Sequence, residues 1–255
     1  MKSLILLTSL ALACANTVHA AEMCSKTSPA YTIALLELYT SEGCDSCPPA
    51  DKAISHLHQN TGLTMDQVIP LSLHVDYWDY LGWKDVFAKK TFTERQRSLA
   101  DLAGARTVYT PEIFMAGKEL RDWRSGIVDE VKRSNQKPAM ASLRIGIEKL
   151  TDNKLYLNLQ GNSKQAAKLH FALVEQALIS KVQAGENRGA TLQHDFVARE
   201  WGEAISLQAA KTENYTAQLG IPANARRKNL SVVAFAQDQQ GNILQALSLP
   251  LCEAM

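Results

Sequence analysis

Apolar positions along this chain change their period once, and the change falls at Pro138. From Tyr31 to Gln136, strand-like runs alternate with helical ones. The run YTIALLELYT (31–40) is mostly apolar, as in a strand buried on both faces. Ala50, Ala53, Ile54 and Leu57 then recur at helical spacing up to the breaker Gly62. VIPLSLHVDYW (68–78) reads as a second strand, parallel to the first. TFTERQRSLADLAG (91–104) opens with Thr91 and Glu94 in capping-box spacing and closes on a glycine, which marks a helix. EIFMAGKELRDW (112–123) reads as a hairpin turning at Gly117, and SGIVDEVKRSNQ (125–136) as a last helix. Strand, helix, strand, helix, hairpin, helix is an α/β order.

Beyond Pro138 the alternation has period two. Leu143, Ile145 and Ile147 share one face of a strand, and Leu155, Leu157 and Leu159 one face of the next, with Thr151-Asp152-Asn153 as the turn between them. LSVVAFAQD (230–238) and ILQALSLPL (243–251) flank a second turn at Gln239-Gln240-Gly241-Asn242. Short polar turns between such strands predict antiparallel pairing with one wet face. The expected organisation is an α/β domain over 30–137 followed by an antiparallel β-sandwich over 139–255.

The amino end narrows the chemistry. MKSLILLTSLALACANTVHA has one lysine, an apolar stretch from Leu4 to Ala13 and a small-residue site at Val18-His19-Ala20, the anatomy of a signal peptide spanning 1–20. The alternative weighed beside it is lipid anchoring at Cys14, although Ala11 stands where a lipoprotein signal carries leucine. No later apolar stretch is long enough to span a bilayer. The expectation is a secreted, periplasmic protein in an oxidising compartment. Removing Lys2 with the signal leaves 26 basic against 26 acidic residues, so no basic stripe argues for nucleic acid.

In that compartment TSEGCDSCPPAD (40–51) is the informative stretch. A CxxC pair after a strand and before a helix is the thioredoxin arrangement. Cys44 is then the nucleophile and Cys47 the resolving thiol, with the helix amino end favouring the thiolate. Pro48 and Pro49 suit a first helical turn but disfavour helical geometry in the residue before, so the helix starts late and its effect on Cys44 weakens. Asp45 disfavours a neighbouring thiolate, whereas Ser46 can donate a hydrogen bond to it. Glu37, on the preceding strand, is a candidate proton acceptor for Cys47 or else a buried salt-bridge partner. Thr110-Pro111 resembles the cis-proline element that lies against the dithiol in thioredoxin-like folds, which makes Pro111 a site residue and Tyr109 and Thr110 substrate-contacting ones. HVDYWDYLGWKD (74–85) should emerge at the same sheet edge as the cysteines, with Tyr77, Trp78, Tyr80 and Trp83 walling the dithiol or else simply filling core. His74 reads as a core histidine first and a metal ligand second. Arg95, Arg97, Lys89 and Lys90 read as a solvated helix face. Cys24 and Cys252 complete an even count and are expected to pair, the alternative being two free thiols.

ELYTSEGCDSCPPAD, HVDYWDYLGWKD, RTVYTPEIFMAGK and GENRGATL (185–192) together resemble the bacterial secreted thioredoxin-like family catalogued as domain of unknown function 1223. The resemblance implies a thioredoxin-like domain followed by a β-rich domain. It supplies no activity. The functional expectation is a thiol–disulfide oxidoreductase acting on protein thiols, with protein substrates and a redox partner and no cofactor. Two alternatives stay open. One is a metal-binding or metallochaperone module built on Cys44, Cys47 and His74. The other is a non-catalytic binding protein whose CxxC disulfide is structural.

Overall fold

A computed structural model describes residues 22–252, so the signal-peptide and Cys14 readings lie outside the described residues. From the amino end the elements are β1 (Cys24–Thr27), β2 (Ala34–Thr40), α1 (Pro48–Ser55), α2 (Leu57–Thr61), β3 (Val68–His74), α3 (Lys90–Leu102), β4 (Glu112–Met115), β5 (Lys118–Glu119) and α4 (Trp123–Asn135). Strands alone follow, apart from one short 3-10 turn: β6 (Ala141–Leu150), β7 (Lys154–Ser163), β8 (Ala167–Glu175), β9 (Leu178–Lys181), β10 (Thr191–His194), β11 (Val197–Trp201), β12 (Ile205–Leu207), β13 (Thr212–Gly220), β14 (Leu230–Gln237) and β15 (Ile243–Pro250).

The expected α/β thioredoxin-like domain followed by a separate antiparallel β-sandwich is overturned by the sheet topology. One nine-stranded sheet runs β15-β14-β8-β11-β3-β2-β4-β5, with β12 also on β8, and takes strands from both halves of the chain. The seam is the edge of β3. That strand pairs with β2 in parallel along seven residues, Ala34↔Val68 to Thr40↔His74, but with β11 only at Val197↔Ser72. Ser72 N–H donates to Phe196 O at 2.8 Å. Two residues earlier on the same side stands Pro70, which has no N–H to extend that ladder. An open β3 edge would expose unpaired backbone groups, and β11 closes it. Side-chain burial matches: every residue of β2, β3 and β14 is buried, as in a sheet covered on both faces.

A second, four-stranded sheet has the order β1-β6-β7-β13. Here the period-two reading of residues 143–159 holds, because Leu155, Leu157 and Leu159 are wholly buried between half-buried neighbours. Two hydrophobic cores result. The first joins Leu36, Leu38, Phe92 and Phe114 to Val174, Phe235 and Ala246 of the later strands. The second lies between the two sheets. Cys24 and Cys252 form a disulfide at its margin, with Cα atoms 6.2 Å apart. Strands β9 and β10 pair only with each other and form an arm that packs against α1.

Candidate functional site

Parallel β2 and β3 end at the same sheet edge, and the loops leaving them build the site. After Thr40 the chain makes two tight turns. Cys44 N–H donates to Ser41 O at 3.2 Å, and Cys47 N–H donates to Cys44 O at 3.3 Å. The turns bring Cys44 and Cys47 together as a disulfide with Cα atoms 5.5 Å apart. Helix α1 starts at Pro48, as the proline pair predicts, with Pro48 and Pro49 as its first two residues. Both lack N–H groups, and the next N–H, that of Ala50, goes to Cys47 O at 2.9 Å. This helix end therefore aims no free backbone donor at Cys44 from its first two positions.

Cys44 Sγ lies instead 3.3 Å from Ser46 Oγ and 3.7 Å from the carbonyl oxygen of Thr110. Ser46 Oγ also donates to Thr110 O at 3.4 Å. The Thr110–Pro111 peptide bond is cis. Trp78 Nε1 donates to Thr110 Oγ1 at 2.8 Å, and the Trp78 side chain packs so closely on Gly43 that a Cβ there would stand 3.0 Å from Trp78 Cβ. A residue with a side chain before Cys44 would need Trp78 to move. Gln96 ties the rest of the wall together: it accepts from Tyr77 OH at 3.2 Å and donates to Tyr109 O at 2.8 Å and Glu112 Oε2 at 2.7 Å. Burial pushes the Glu112 carboxyl up from 4.5 to about 7 against the pull of the Gln96 hydrogen bond, with the Glu119 charge adding to the rise.

The structure thus gathers Cys44, Cys47, Thr110, Pro111 and Trp78 at one place, with Tyr77 and Tyr109 joined to it through Gln96. Tyr80 is 79 % exposed and forms no wall. Glu37 faces another partner. Arg95 Nε and Nη2 donate to its two carboxylate oxygens at 2.6 and 3.0 Å, and Tyr39 OH donates at 3.3 Å. Arg95, its side chain only 10 % exposed, is therefore turned inward and not part of a solvated face. Its guanidinium also donates to Gln237 Oε1 at 3.0 Å and lies over the Phe235 ring.

Beneath the CxxC loop lies a cluster of which the sequence reading singled out only His74, as a core histidine. Glu42, Asp51, His74, Asp85 and His194 are all buried. His74 Nδ1 donates to Asp85 Oδ2 at 2.6 Å, and Asp85 also accepts the Glu42 and Phe87 N–H groups, each at 2.9 Å. Burial works against the charged form of His74, but the Asp85 carboxylate outweighs it and the His74 pKa is raised. The pull is mutual: despite burial, His74 holds the Asp85 pKa below its usual range. Asp51 shows the opposite balance, raised by burial against the attraction of His194 and His74. Trp83 Nε1 donates to Glu42 Oε2 at 2.7 Å, while Glu42 Oε1 stands 3.4 Å from His194 Nε2. Among the described residues no group of three or more His, Cys, Asp or Glu side chains is arranged to hold a metal ion. Asp51 stood four residues after Cys47 in the quoted motif, a helical spacing that places both on one face. His194 carried no local signal.

The arm reaches the same loop from 141 to 145 residues away in sequence. Asn187 Nδ2 donates to Glu42 O at 2.9 Å and to Cys44 O at 2.8 Å. Glu186 Oε2 accepts the Asp45 N–H at 3.1 Å. Both Cys44 and Cys47 are 0 % exposed.

Two disulfides are consistent with an oxidising, extracytoplasmic setting. Among the described residues no helix is long and apolar enough to cross a membrane. No curated protein matches the chain. Protein AGR_C_4864 from Agrobacterium tumefaciens, of known crystal structure, shares the fold: it is 26 % identical with a TM-score of 0.62, over 87 % of this chain and 96 % of that one. A FixG-related protein from Vibrio parahaemolyticus (9 % identical, TM-score 0.28, 43 % of this chain and 91 % of that one) and a β-glucosidase from Kluyveromyces marxianus (15 %, 0.24, 44 % and 14 %) are too distant to carry an argument. A match over residues 35–237, most of the chain and all of the site just described, places this protein in the family described as Protein of unknown function (DUF1223).

Proposed function

We propose that Cys44 and Cys47 are a thiol–disulfide exchange couple acting on protein thiols outside the cytoplasm. The observation that carries the reading is the seat of Cys44 Sγ, between the Ser46 hydroxyl and the Thr110 carbonyl. In the reduced protein the Ser46 hydroxyl turns its one proton from Thr110 O to the Cys44 thiolate, a role that the two prolines deny to the helix end. The thiolate attacks a substrate disulfide. A Cys44–substrate bond forms, the substrate S–S bond breaks, and one substrate thiolate leaves. Cys47, as thiolate, then attacks Cys44 Sγ, closing the Cys44–Cys47 bond and releasing the second substrate thiolate. Two electrons pass to the substrate, and the reverse sequence oxidises a substrate dithiol. Tyr77, Trp78, Tyr109, Thr110 and Pro111 form the wall against which the substrate lies. Glu37 takes no part in this scheme, since Arg95 engages both its oxygens.

Cross-link energetics support a chemical role for this pair. On the chain-entropy relation, a loop closed across three residues constrains the unfolded chain by only ~2 kcal/mol, against ~5 kcal/mol for one closed across 228. Cys24–Cys252 is the effective staple. A second reading, that Cys44–Cys47 is structural too, draws on one observation, the complete burial of both sulfurs.

The deciding experiment uses Cys47→Ser and Cys44→Ser proteins recovered from the native compartment. Exchange chemistry predicts covalent adducts on Cys44 in the first and none in the second. If Cys47→Ser captures nothing, and the wild-type disulfide cannot be equilibrated with glutathione in the folded state, the pair is structural.

A further inference from the structure

The covering of Cys44 has an unusual chemical pattern. Three backbone groups of the CxxC loop, Glu42 C=O, Cys44 C=O and Asp45 N–H, are bonded by side chains of the arm tip: the Asn187 amide donates to both carbonyls, and the Glu186 carboxylate accepts the N–H. An amide N–H facing carbonyls and a carboxyl oxygen facing an N–H are what an extended polypeptide backbone would itself present. The tip is also separable from the rest of the arm. Val182, Leu192 and His194 bury the base of the hairpin, whereas Glu186, Arg188 and Gly189 are exposed. Gly185 and Gly189, with φ of +74° and +87°, bracket the tip.

We infer that Glu186 and Asn187 are positioning residues that occupy the docking strip of an extended polypeptide and cover Cys44 until such a polypeptide displaces them. The inference rests on the exchange reading above and names the substrate class for it: an unfolded or extended chain segment carrying a cysteine, which bonds residues 42–45 through its backbone. It also reconciles a reactive pair with two buried sulfurs. The closed state shields the disulfide, and access to it follows substrate docking.

The test is the rate at which dithiothreitol reduces each disulfide in the folded full-length protein, read by maleimide mass-tagging and peptide mapping. Losing the tip hydrogen bonds should speed reduction of Cys44–Cys47 roughly tenfold or more in Glu186→Ala/Asn187→Ala. The Cys24–Cys252 rate should be unchanged, and Arg188→Ala should behave as wild type. An unchanged Cys44–Cys47 rate in the double variant would overturn the inference. Equal acceleration of both disulfides would overturn it too, because that reports general loosening. A second readout is amide hydrogen exchange in Cys47→Ser carrying a cysteine peptide disulfide-linked at Cys44. Residues 183–190 should lose protection relative to the same protein with Cys44 capped by iodoacetamide, and retained protection would show that the tip is not displaced. Should the rates behave as stated while Cys47→Ser captures no protein substrate, the cover stands and the exchange reading alone fails.

Discussion

At the scale of single residues, the site is a balance between burial and partners. Glu112 follows Pro111, and its carboxyl is pushed from 4.5 to about 7 chiefly by burial. A carboxyl whose folded pKa is raised keeps its proton after the unfolded chain has lost it, so stability falls as pH rises from about 4.5 through 7. Glu112→Gln removes that cost. Urea midpoints of the two proteins should diverge in the variant's favour between pH 4.5 and pH 8, and a pH-independent difference would contradict the assignment. Residues of this kind were only partly legible. Cys44, Cys47, Thr110 and Trp78 stand inside short quoted motifs, so local spacing finds them. Glu42, Asp85 and Asn187 are ordinary polar residues until the fold buries or aims them. Glu37 shows the same limit, since a lone acid in an apolar run reads equally as proton carrier or ion-pair partner until Arg95 is placed.

At the scale of elements, Arg95 is the tie that matters. It leaves α3, grips Glu37 on β2 with two hydrogen bonds, and reaches Gln237 at the end of β14. Buried pairs are costly to break singly because the remaining charge stays uncompensated. Glu37→Gln should therefore destabilise by about 3 kcal/mol, seen as a lowered denaturation midpoint, while leaving the exchange rate per folded molecule unaltered. A stable variant with slowed exchange would return Glu37 to the proton-carrier role. The existence of helix α3 was readable, but its capping box was not: Lys89 is the N-cap, without a side-chain capping hydrogen bond, Thr91 lies inside the first turn, and the helix's arginine was assigned to solvent. Helical periodicity separates faces, but it does not say that a charged side chain will cross a core margin to meet a buried carboxylate.

At the scale of the molecule, the halves are joined by strand pairing and by a disulfide. Strand β11 pairs with β3 inside one sheet, and Cys24–Cys252 links the first strand to the segment after the last. Replacing both of these cysteines by serine should cost about 2–5 kcal/mol, measured as a drop in thermal midpoint against wild type under non-reducing conditions. A negligible change would mean that strand pairing alone holds the ends. The even count of cysteines beyond the expected signal peptide pointed to this pairing, whereas nothing local pointed to β11. A single bridge between residues 125 apart, Ser72 and Val197, leaves no periodic trace in either segment.

By itself the sequence determined most of the individual strands and helices, the CxxC loop between a strand and a helix, the late start of α1 at Pro48, and the pairing of the terminal cysteines. These follow from period, proline stereochemistry and counting, all of which act locally or on composition. Only the tertiary structure decided that both halves share one sheet, that Arg95 claims Glu37, that His74 and His194 meet three carboxylates under the dithiol, and that the arm tip bonds the backbone of the CxxC loop. Each of these depends on which distant surfaces meet, and that is settled by closing open strand edges and by giving every buried charge and backbone group a partner across the whole chain.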